Sequence, residues 1–364
     1  MLKIHRAVVQ DSEQAAEAAG LRYVSDEKPG ISRRKKRGAF VYYDQHGRRV
    51  KDAALLKRIR SIVIPPAWER VWVCPSANGH LQATGFDAKG RKQYKYHATW
   101  RSVRDEAKFE RLHLFAAVLP KIRAKVNRDL RRSDLSREKV IATVVRLLEL
   151  SLIRVGNEEY AKENNSFGLT TMRNRHAKAN GSMVKFHFRG KSGKEHTVEV
   201  IDRRVAKIVR KCQDLPGQHL FEYKDQEGQI RSIGSEDIND YLKAIAKQSF
   251  TAKDFRTWAG TVLAAIALSK MQEVDSQTLA KKNVLTAIEA VARLLGNTAA
   301  ICRKCYIHPA IATSYLNGTL AHNLRAKADS QIALRLHQLK PEEAAVMSLL
   351  RQELAARSKI KRHK

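Results

Sequence analysis

The hydrophobic repeat of this chain changes once along its length. Up to about Trp100 the apolar residues come in short alternating runs closed by turn formers. Ala39 to Asp44 runs into Gln-His-Gly, Val71 to Cys74 precedes Ser-Ala-Asn-Gly, and Leu81 to Phe86 precedes Asp-Ala-Lys-Gly. Each of these reads as a strand, and Ala53 to Ile62 reads as a short helix stopped by Pro65-Pro66. Beyond Trp100 the spacing becomes three and four: Phe109, Leu112, Phe115, Leu119, then Val140, Val144, Leu147, Leu148, and later Leu285, Ile288, Val291, Leu295. The fold class expected is therefore α+β, a β-rich N-terminal domain at residues 1–101 followed by a mainly α-helical domain at 102–320. Residues 321–364 are expected to form a C-terminal extension, helix-like from Pro341 to Arg357, with a frayed basic end from Lys359 to Lys364. One segment interrupts the helical part. Met183 to Phe188 and His196 to Val200 alternate on either side of Arg189-Gly-Lys-Ser-Gly-Lys194, a hairpin with Lys191 at its tip.

Charge narrows the partner. The 364 residues carry 69 Lys and Arg against 37 Asp and Glu, a net +32, while 43% of residues are hydrophobic. That apolar content supports packed cores, so a disordered basic tail is the wrong description. The cations are interleaved with aromatics and glycines, as in Gly30-Ile-Ser-Arg-Arg-Lys-Lys-Arg-Gly38 and Gly90-Arg-Lys-Gln-Tyr-Lys-Tyr-His97. Such spacing favours a groove for a nucleic-acid backbone over one amphipathic membrane face. There is no apolar leader among the first thirty residues and no run near the roughly 18 apolar residues of a spanning helix, so a soluble, intracellular protein is expected. Four cysteines are too few for a disulfide framework. Cys302 and Cys305 make a lone C-R-K-C without the second pair or histidines of a zinc site, and small core-facing residues on a short helix explain them.

Cutting a phosphodiester backbone would need either clustered carboxylates for Mg²⁺ or a set of cationic donors. The acidic pairs Glu158-Glu159 and Glu342-Glu343 read as solvated partners of nearby bases, and neither a Walker A loop nor a dinucleotide fingerprint is present. No metal or other cofactor is expected. Without metal, phosphoryl transfer calls for guanidinium or ammonium groups on the phosphate oxygens, a nucleophile, and an acid for the leaving oxygen. Arg154 follows an apolar helix, where a cation also suits the helix C-terminus. Arg256 stands in Lys253-Asp-Phe-Arg-Thr-Trp258, where a surface pair with Asp254 is the plain alternative. Tyr306 follows Arg303-Lys304, and a half-buried tyrosine would read the same way. Asn297, just after Gly296, is well suited to N-cap the next helix.

Taken in order, Leu152-Ile-Arg-Val-Gly-Asn-Glu-Glu-Tyr160, Ser166-Phe-Gly-Leu-Thr-Thr-Met-Arg-Asn-Arg-His176, Gly190-Lys191, Lys253 to Trp258 and Asn297 to Tyr306 resemble the type IB DNA topoisomerases, in particular the bacterial enzymes similar to the poxvirus one. Ile64-Pro-Pro-Ala-Trp68 and Gly90 to His97 extend the resemblance toward the N-terminus. It implies that Tyr306 attacks one strand of double-stranded DNA to form a 3′-phosphotyrosyl bond. Arg154 and Arg256 would bind the non-bridging oxygens, and Lys191 would protonate the departing 5′-oxygen. The fifth family position, a histidine in the poxvirus enzyme, is Asn297 here; its amide can donate a hydrogen bond but carries no charge. Three donors and one acid would supply on the order of 11 to 17 kcal/mol, inside the usual enzymatic range of about 8 to 23. The phosphotyrosyl diester keeps the energy of the bond it replaces, so religation needs no ATP, and strand rotation between the two steps would relax supercoils of either sign.

The N-terminal domain would close over the duplex, and Gln93, Tyr94 and Tyr96, alternating with cations on one strand, are the expected DNA contacts. The resemblance also implies a monomer acting on the nucleoid of the cytoplasm. Two rivals remain at this level. A tyrosine recombinase uses a similar set, although it commonly has a histidine where Lys253 stands and lacks the β-rich domain. A non-catalytic architectural DNA binder would explain the charge but leave the ordered motifs as coincidence.

Overall fold

The computed structural model describes residues 12–88, 90–271, 276–320 and 339–362, with side chains to 356. The chain divides into two compact units, Met1–Arg111 and Leu112–Lys364.

The first unit holds a five-stranded antiparallel sheet of β1 (Ile31–Lys36), β2 (Ala39–Tyr43), β3 (Glu69–Val73), β4 (Leu81–Phe86) and β5 (Lys92–Tyr96), in the order β2-β1-β3-β4-β5. Ile31, Val71, Val73 and Ala83 point to one side and bury Ile59 of α2 (Ala53–Ser61), which follows the short α1 (Ser12–Ala18). Asp52 starts α2 by accepting from the backbone N–H groups of Ala54 and Leu55 at 2.8 and 3.2 Å. Strand β1 is absent from the sequence reading because Ser32-Arg-Arg-Lys-Lys36 shows no apolar alternation. Its place comes from pairing, Ser32 opposite Tyr43 through Lys36 opposite Ala39. The Arg33 and Arg34 guanidinium groups lie over the Phe40 and Tyr43 rings, at 4.2 and 4.9 Å from their centroids. Helix α3 (Ala98–Glu110) closes this unit and runs across the boundary expected from the sequence.

The second unit is mainly helical. Its long elements are α4 (Leu112–Asp129), α5 (Arg137–Ser151), α6 (Glu158–Asn164), α7 (Arg203–Gln213), α8 (Ser235–Ala246), α9 (Ala252–Ser269), α10 (Gln277–Leu295), α11 (Ala299–Cys305) and α12 (Pro309–Leu316). Val140, Ile141, Ala142, Val144, Leu147 and Leu148 make α5 buried on nearly every side, so it serves as the central helix. Phe115 of α4 meets Phe250 and Phe255 edge to face, at 5.4 and 5.1 Å. The expected hairpin is present as β7 (Met183–Arg189) and β8 (Glu195–Ile201), with β6 (Ala177–Asn180) added at the edge, and β9 (Glu222–Lys224) pairs with β10 (Ile230–Ser232). These short extra strands escaped the sequence reading because three or four residues carry too little alternation to register.

The C-terminal helix α13 runs Pro341–Arg362 and takes in most of the basic end that was expected to fray. It packs against α4 and α9, burying Val346, Met347, Leu349 and Leu350 in the main core, each contributing about 1.5–3 kcal/mol. Residues 321–338 and 363–364 of the expected extension lie outside the described residues. Among the described residues, no single helix is long and apolar enough to cross a membrane, and no three His, Cys, Asp or Glu side chains gather where a metal ion could be held.

Candidate active site

Helix α5 ends at Ser151 because Leu152 turns into the left-handed region, φ 56° and ψ 16°. A branched side chain is strained there by about 1–3 kcal/mol, so neighbouring bonds must hold it. The Leu152 carbonyl accepts from Nη1 of Arg256, and Nη2 of Arg256 donates to the Leu295 carbonyl at 2.6 Å. Arg256 thus ties the end of α5 to the end of α10 from a position inside α9. It is only 5% exposed, which overturns the surface pair with Asp254. The Asp254 carboxylate instead accepts from the Thr251 N–H at 2.8 Å as a cap of the same helix.

Helix α10 ends in the same way, at Gly296 with φ 60°, a backbone state that glycine adopts without a Cβ penalty. This turn delivers Asn297 toward Arg154. The Arg154 Nη2 donates to Asn297 Oδ1 at 2.6 Å, and Asn297 Nδ2 donates to the Leu295 carbonyl at 3.2 Å. The expected N-cap role of Asn297 is therefore corrected. Thr298 caps α11, its hydroxyl accepting from the Ile301 N–H at 3.3 Å, because the αL turn moves the capping geometry one residue on.

Tyr306 closes α11 and is half-buried. Its carbonyl accepts from the Thr261 hydroxyl at 3.3 Å, and its ring lies under the Arg256 guanidinium, 5.2 Å from carbon to centroid. Helix α9 approaches this backbone closely at Gly260, where a methyl group would stand 2.6 Å from the Tyr306 carbonyl oxygen. Lys191 is exposed on the turn between β7 and β8, where Gly190 N–H donates to the Lys194 carbonyl at 2.7 Å.

These elements surround a cavity of about 360 Å³. Arg154, Lys191, Arg256 and Tyr306 all line it, together with Lys253 and Tyr160. Among the described residues no Asp or Glu lines it, whereas four cations, Arg154, Lys191, Lys253 and Arg256, do. Burial pushes the Arg256 pKa down, and the charge of Arg154 adds to that effect, while Tyr306 opposes it. Nε of Arg256 is buried with no hydrogen-bond partner among the described residues. An anion entering the cavity would relieve the repulsion between these guanidinium groups and could accept several charge-assisted hydrogen bonds.

Asn297 touches this group through Arg154 rather than by lining the cavity. The N-terminal candidates separate. Tyr94 and Tyr96 stack on one face of β5, with ring centroids 6.0 Å apart, whereas the Gln93 amide turns the other way and donates to Asp87 at 3.0 Å. Cys302 is buried in α11 and Cys305 half-buried, and neither is in a disulfide. Glu343, read from sequence as a solvated partner, is buried and accepts two bonds from Arg123 at 2.8 Å and one from Trp258 Nε1 at 3.1 Å. The sequence reading also passed over His196 of β8, whose imidazole lies beside the Arg154 and Arg256 charges. Nothing in its alternating strand sets this histidine apart; only the packing does.

Two family models match the chain. One describes the catalytic core of eukaryotic DNA topoisomerase I and matches residues 97–328, and the other describes the N-terminal domain of bacterial DNA topoisomerase IB and matches residues 39–87. DNA topoisomerase 1B of Acanthamoeba polyphaga mimivirus is 31% identical over 285 residues, covering 76% of this chain and 85% of the viral protein. The chain belongs to the type IB DNA topoisomerase family. A second relative, DNA topoisomerase 1B of Vaccinia virus strain Western Reserve, is 24% identical over 247 residues, covering 66% of this chain and 73% of its own. DNA topoisomerase 1 of Mycosarcoma maydis is 24% identical over 204 residues, half of this chain and 20% of that longer protein. This type IB topoisomerase is thus an enzyme, and the match to the catalytic-core model spans every residue around the cavity.

Proposed function

We propose that this topoisomerase relaxes supercoils of either sign in double-stranded DNA, as a monomer, without ATP or metal. The observation that carries the reading is the meeting of Arg154, Lys191, Arg256 and Tyr306 on one cavity with no carboxylate among its described lining residues. The Tyr306 oxygen attacks the scissile phosphorus as its phenolic proton passes to water. A P–O bond to tyrosine forms as the bond to the 5′-oxygen breaks, and the product is a 3′-phosphotyrosyl diester with a free 5′-hydroxyl. Arg154 and Arg256 hold the non-bridging oxygens, where the negative charge of the transition state builds up. Lys191, exposed on the turn between Gly190 and Gly193, delivers a proton to the 5′-oxygen as it leaves. Asn297 fixes the Arg154 guanidinium and takes the place of a charged donor with an uncharged amide.

Rotation of the cut strand then releases torsion, and the 5′-hydroxyl returns to the phosphotyrosine to reverse the chemistry. Tyr94 of the N-terminal unit is 47% exposed and, with Tyr96 and the neighbouring lysines, offers a surface for the duplex. A tyrosine recombinase with the same cleavage step would exchange strands instead of resealing the same one.

The test is incubation with negatively supercoiled plasmid in EDTA without ATP, stopped with detergent. Relaxed topoisomers together with protein bound to a 3′ end are the expected result. Salt-sensitive binding without relaxation or adduct would point back to an architectural DNA protein.

A further inference from the structure

The tip that carries Lys191 is an exposed turn, yet a general acid must stand within hydrogen-bond reach of one oxygen. Something has to set the distance between this hairpin and the turn that carries Asn297. His196 occupies that place. Its ring lies flat along Phe188, 5.3 Å between centroids and 20° between planes, so the two strands β7 and β8 hold it from one side. A methyl group on Gly190, the residue before Lys191, would stand 2.6 Å from the imidazole Cδ2. A methyl group on Gly296, the residue before Asn297, would stand 2.5 Å from the imidazole Cε1. The ring is therefore in contact with both glycines at once, with no room for a side chain at either.

We propose that His196 is a positioning residue, a flat spacer that docks the Lys191 hairpin onto the Gly296-Asn297 turn and so sets where Lys191 meets the leaving oxygen. The inference rests on the proposed acid role of Lys191 and deepens it. The surroundings suit an uncharged ring: burial pushes the His196 pKa down, and the charges of Arg154, Arg256 and Lys194 push it further the same way. The small space on its inner side is bounded by Arg154, Lys191, Arg256 and Leu295, so the spacer touches the machinery without facing the main cavity.

The test compares single-turnover cleavage of a duplex with an ordinary 5′-oxygen at the scissile bond and of one with sulfur there, since a thiolate leaves without a proton. His196→Ala is expected to slow the oxygen substrate by about 10- to 100-fold, the scale on which a misplaced group loses rate, and to recover on the sulfur substrate. The double variant His196→Ala with Lys191→Ala is expected to be no slower than Lys191→Ala alone, because a residue that acts through Lys191 has nothing left to position. Gly190→Ala, at a φ of −98° that any residue adopts, pushes on the same ring and is expected to show the same pair of signatures should His196→Ala fail to fold. An equal slowing on both substrates, or additive losses in the double variant, would overturn the role of His196. Failure of Lys191→Ala itself to recover on sulfur would instead remove the acid assignment beneath it.

Discussion

Arg154 and Asn297, 143 residues apart, are joined by a 2.6 Å hydrogen bond in which the guanidinium donates and the amide oxygen accepts. The same amide donates to the Leu295 carbonyl, which also accepts from Arg256. The two guanidinium groups proposed to bind the phosphate are thereby held by one small network that ends at Asn297 and Leu295. Asn297→Ala removes both bonds and is expected to lower the cleavage rate by about 10- to 100-fold, with DNA binding little changed. Asn297→Asp should be worse, about 10²- to 10³-fold, because its carboxylate would take up the Arg154 charge proposed to meet the phosphate. Single-turnover cleavage alongside a binding titration separates the two effects.

Tyr306→Phe deletes one oxygen and leaves the ring under Arg256. The variant should bind DNA within about twofold of the parent and form no covalent adduct at all, since the lost atom is the proposed nucleophile. Any residual relaxation by a clean preparation would remove Tyr306 from that role.

Gly260 lies in the interior of α9, where alanine ordinarily stabilises a helix by about 1 kcal/mol. Here the added methyl group would stand 2.6 Å from the Tyr306 carbonyl oxygen and 3.1 Å from its Cβ. The contact with backbone should win, so Gly260→Ala is expected to destabilise by about 1–3 kcal/mol and to slow cleavage by moving Tyr306. Chemical denaturation and a cleavage assay on the same sample check both; a stabilised variant of normal activity would contradict the close approach.

Glu343 links the C-terminal helix α13 to α4 and α9, through Arg123 and Trp258. Burial pushes its carboxyl pKa up, but the bonds and charge of Arg123 outweigh this and hold it below the ordinary 4.5. A carboxyl whose folded pKa is depressed contributes its full stabilisation above 4.5 and loses it as pH falls through the folded value. Glu343→Gln, which removes one of the carboxylate charges paired with Arg123, should cost up to about 3–5 kcal/mol near neutral pH. The difference between variant and parent should shrink on acidification, as followed by denaturant midpoints at several pH values.

Local pattern accounts for much of the fold. Strand β4 begins and ends where the alternation between Leu81 and Phe86 does, and the hairpin around Lys191 lies where its two alternating runs place it. Such elements bury one face against a neighbour, and their period shows in any window of eight or ten residues. Strand β1 did not show, because its cations are satisfied by cross-strand aromatics rather than by burial. Among the candidate site residues, Arg154, Lys191, Arg256 and Tyr306 were legible only as an ordered set of motifs, each having a plain local explanation when taken alone.

By itself the sequence determined the order of a β-rich and a helical part, the preference for a polyanion, and the residue types available for phosphoryl transfer. Those properties follow from composition and from spacing within a few residues. The tertiary structure alone decided that Arg256 is buried as a tie between two helix ends, that Asn297 serves Arg154 instead of capping α11, and that Glu343 is an internal anchor. It also brought His196 against two glycines that stand 106 residues apart in the chain. The physical reason is the range of the interactions. A cap or an amphipathic stripe is specified by neighbours along the backbone, whereas a hydrogen bond between distant side chains exists only after packing has brought both into a space from which water is excluded.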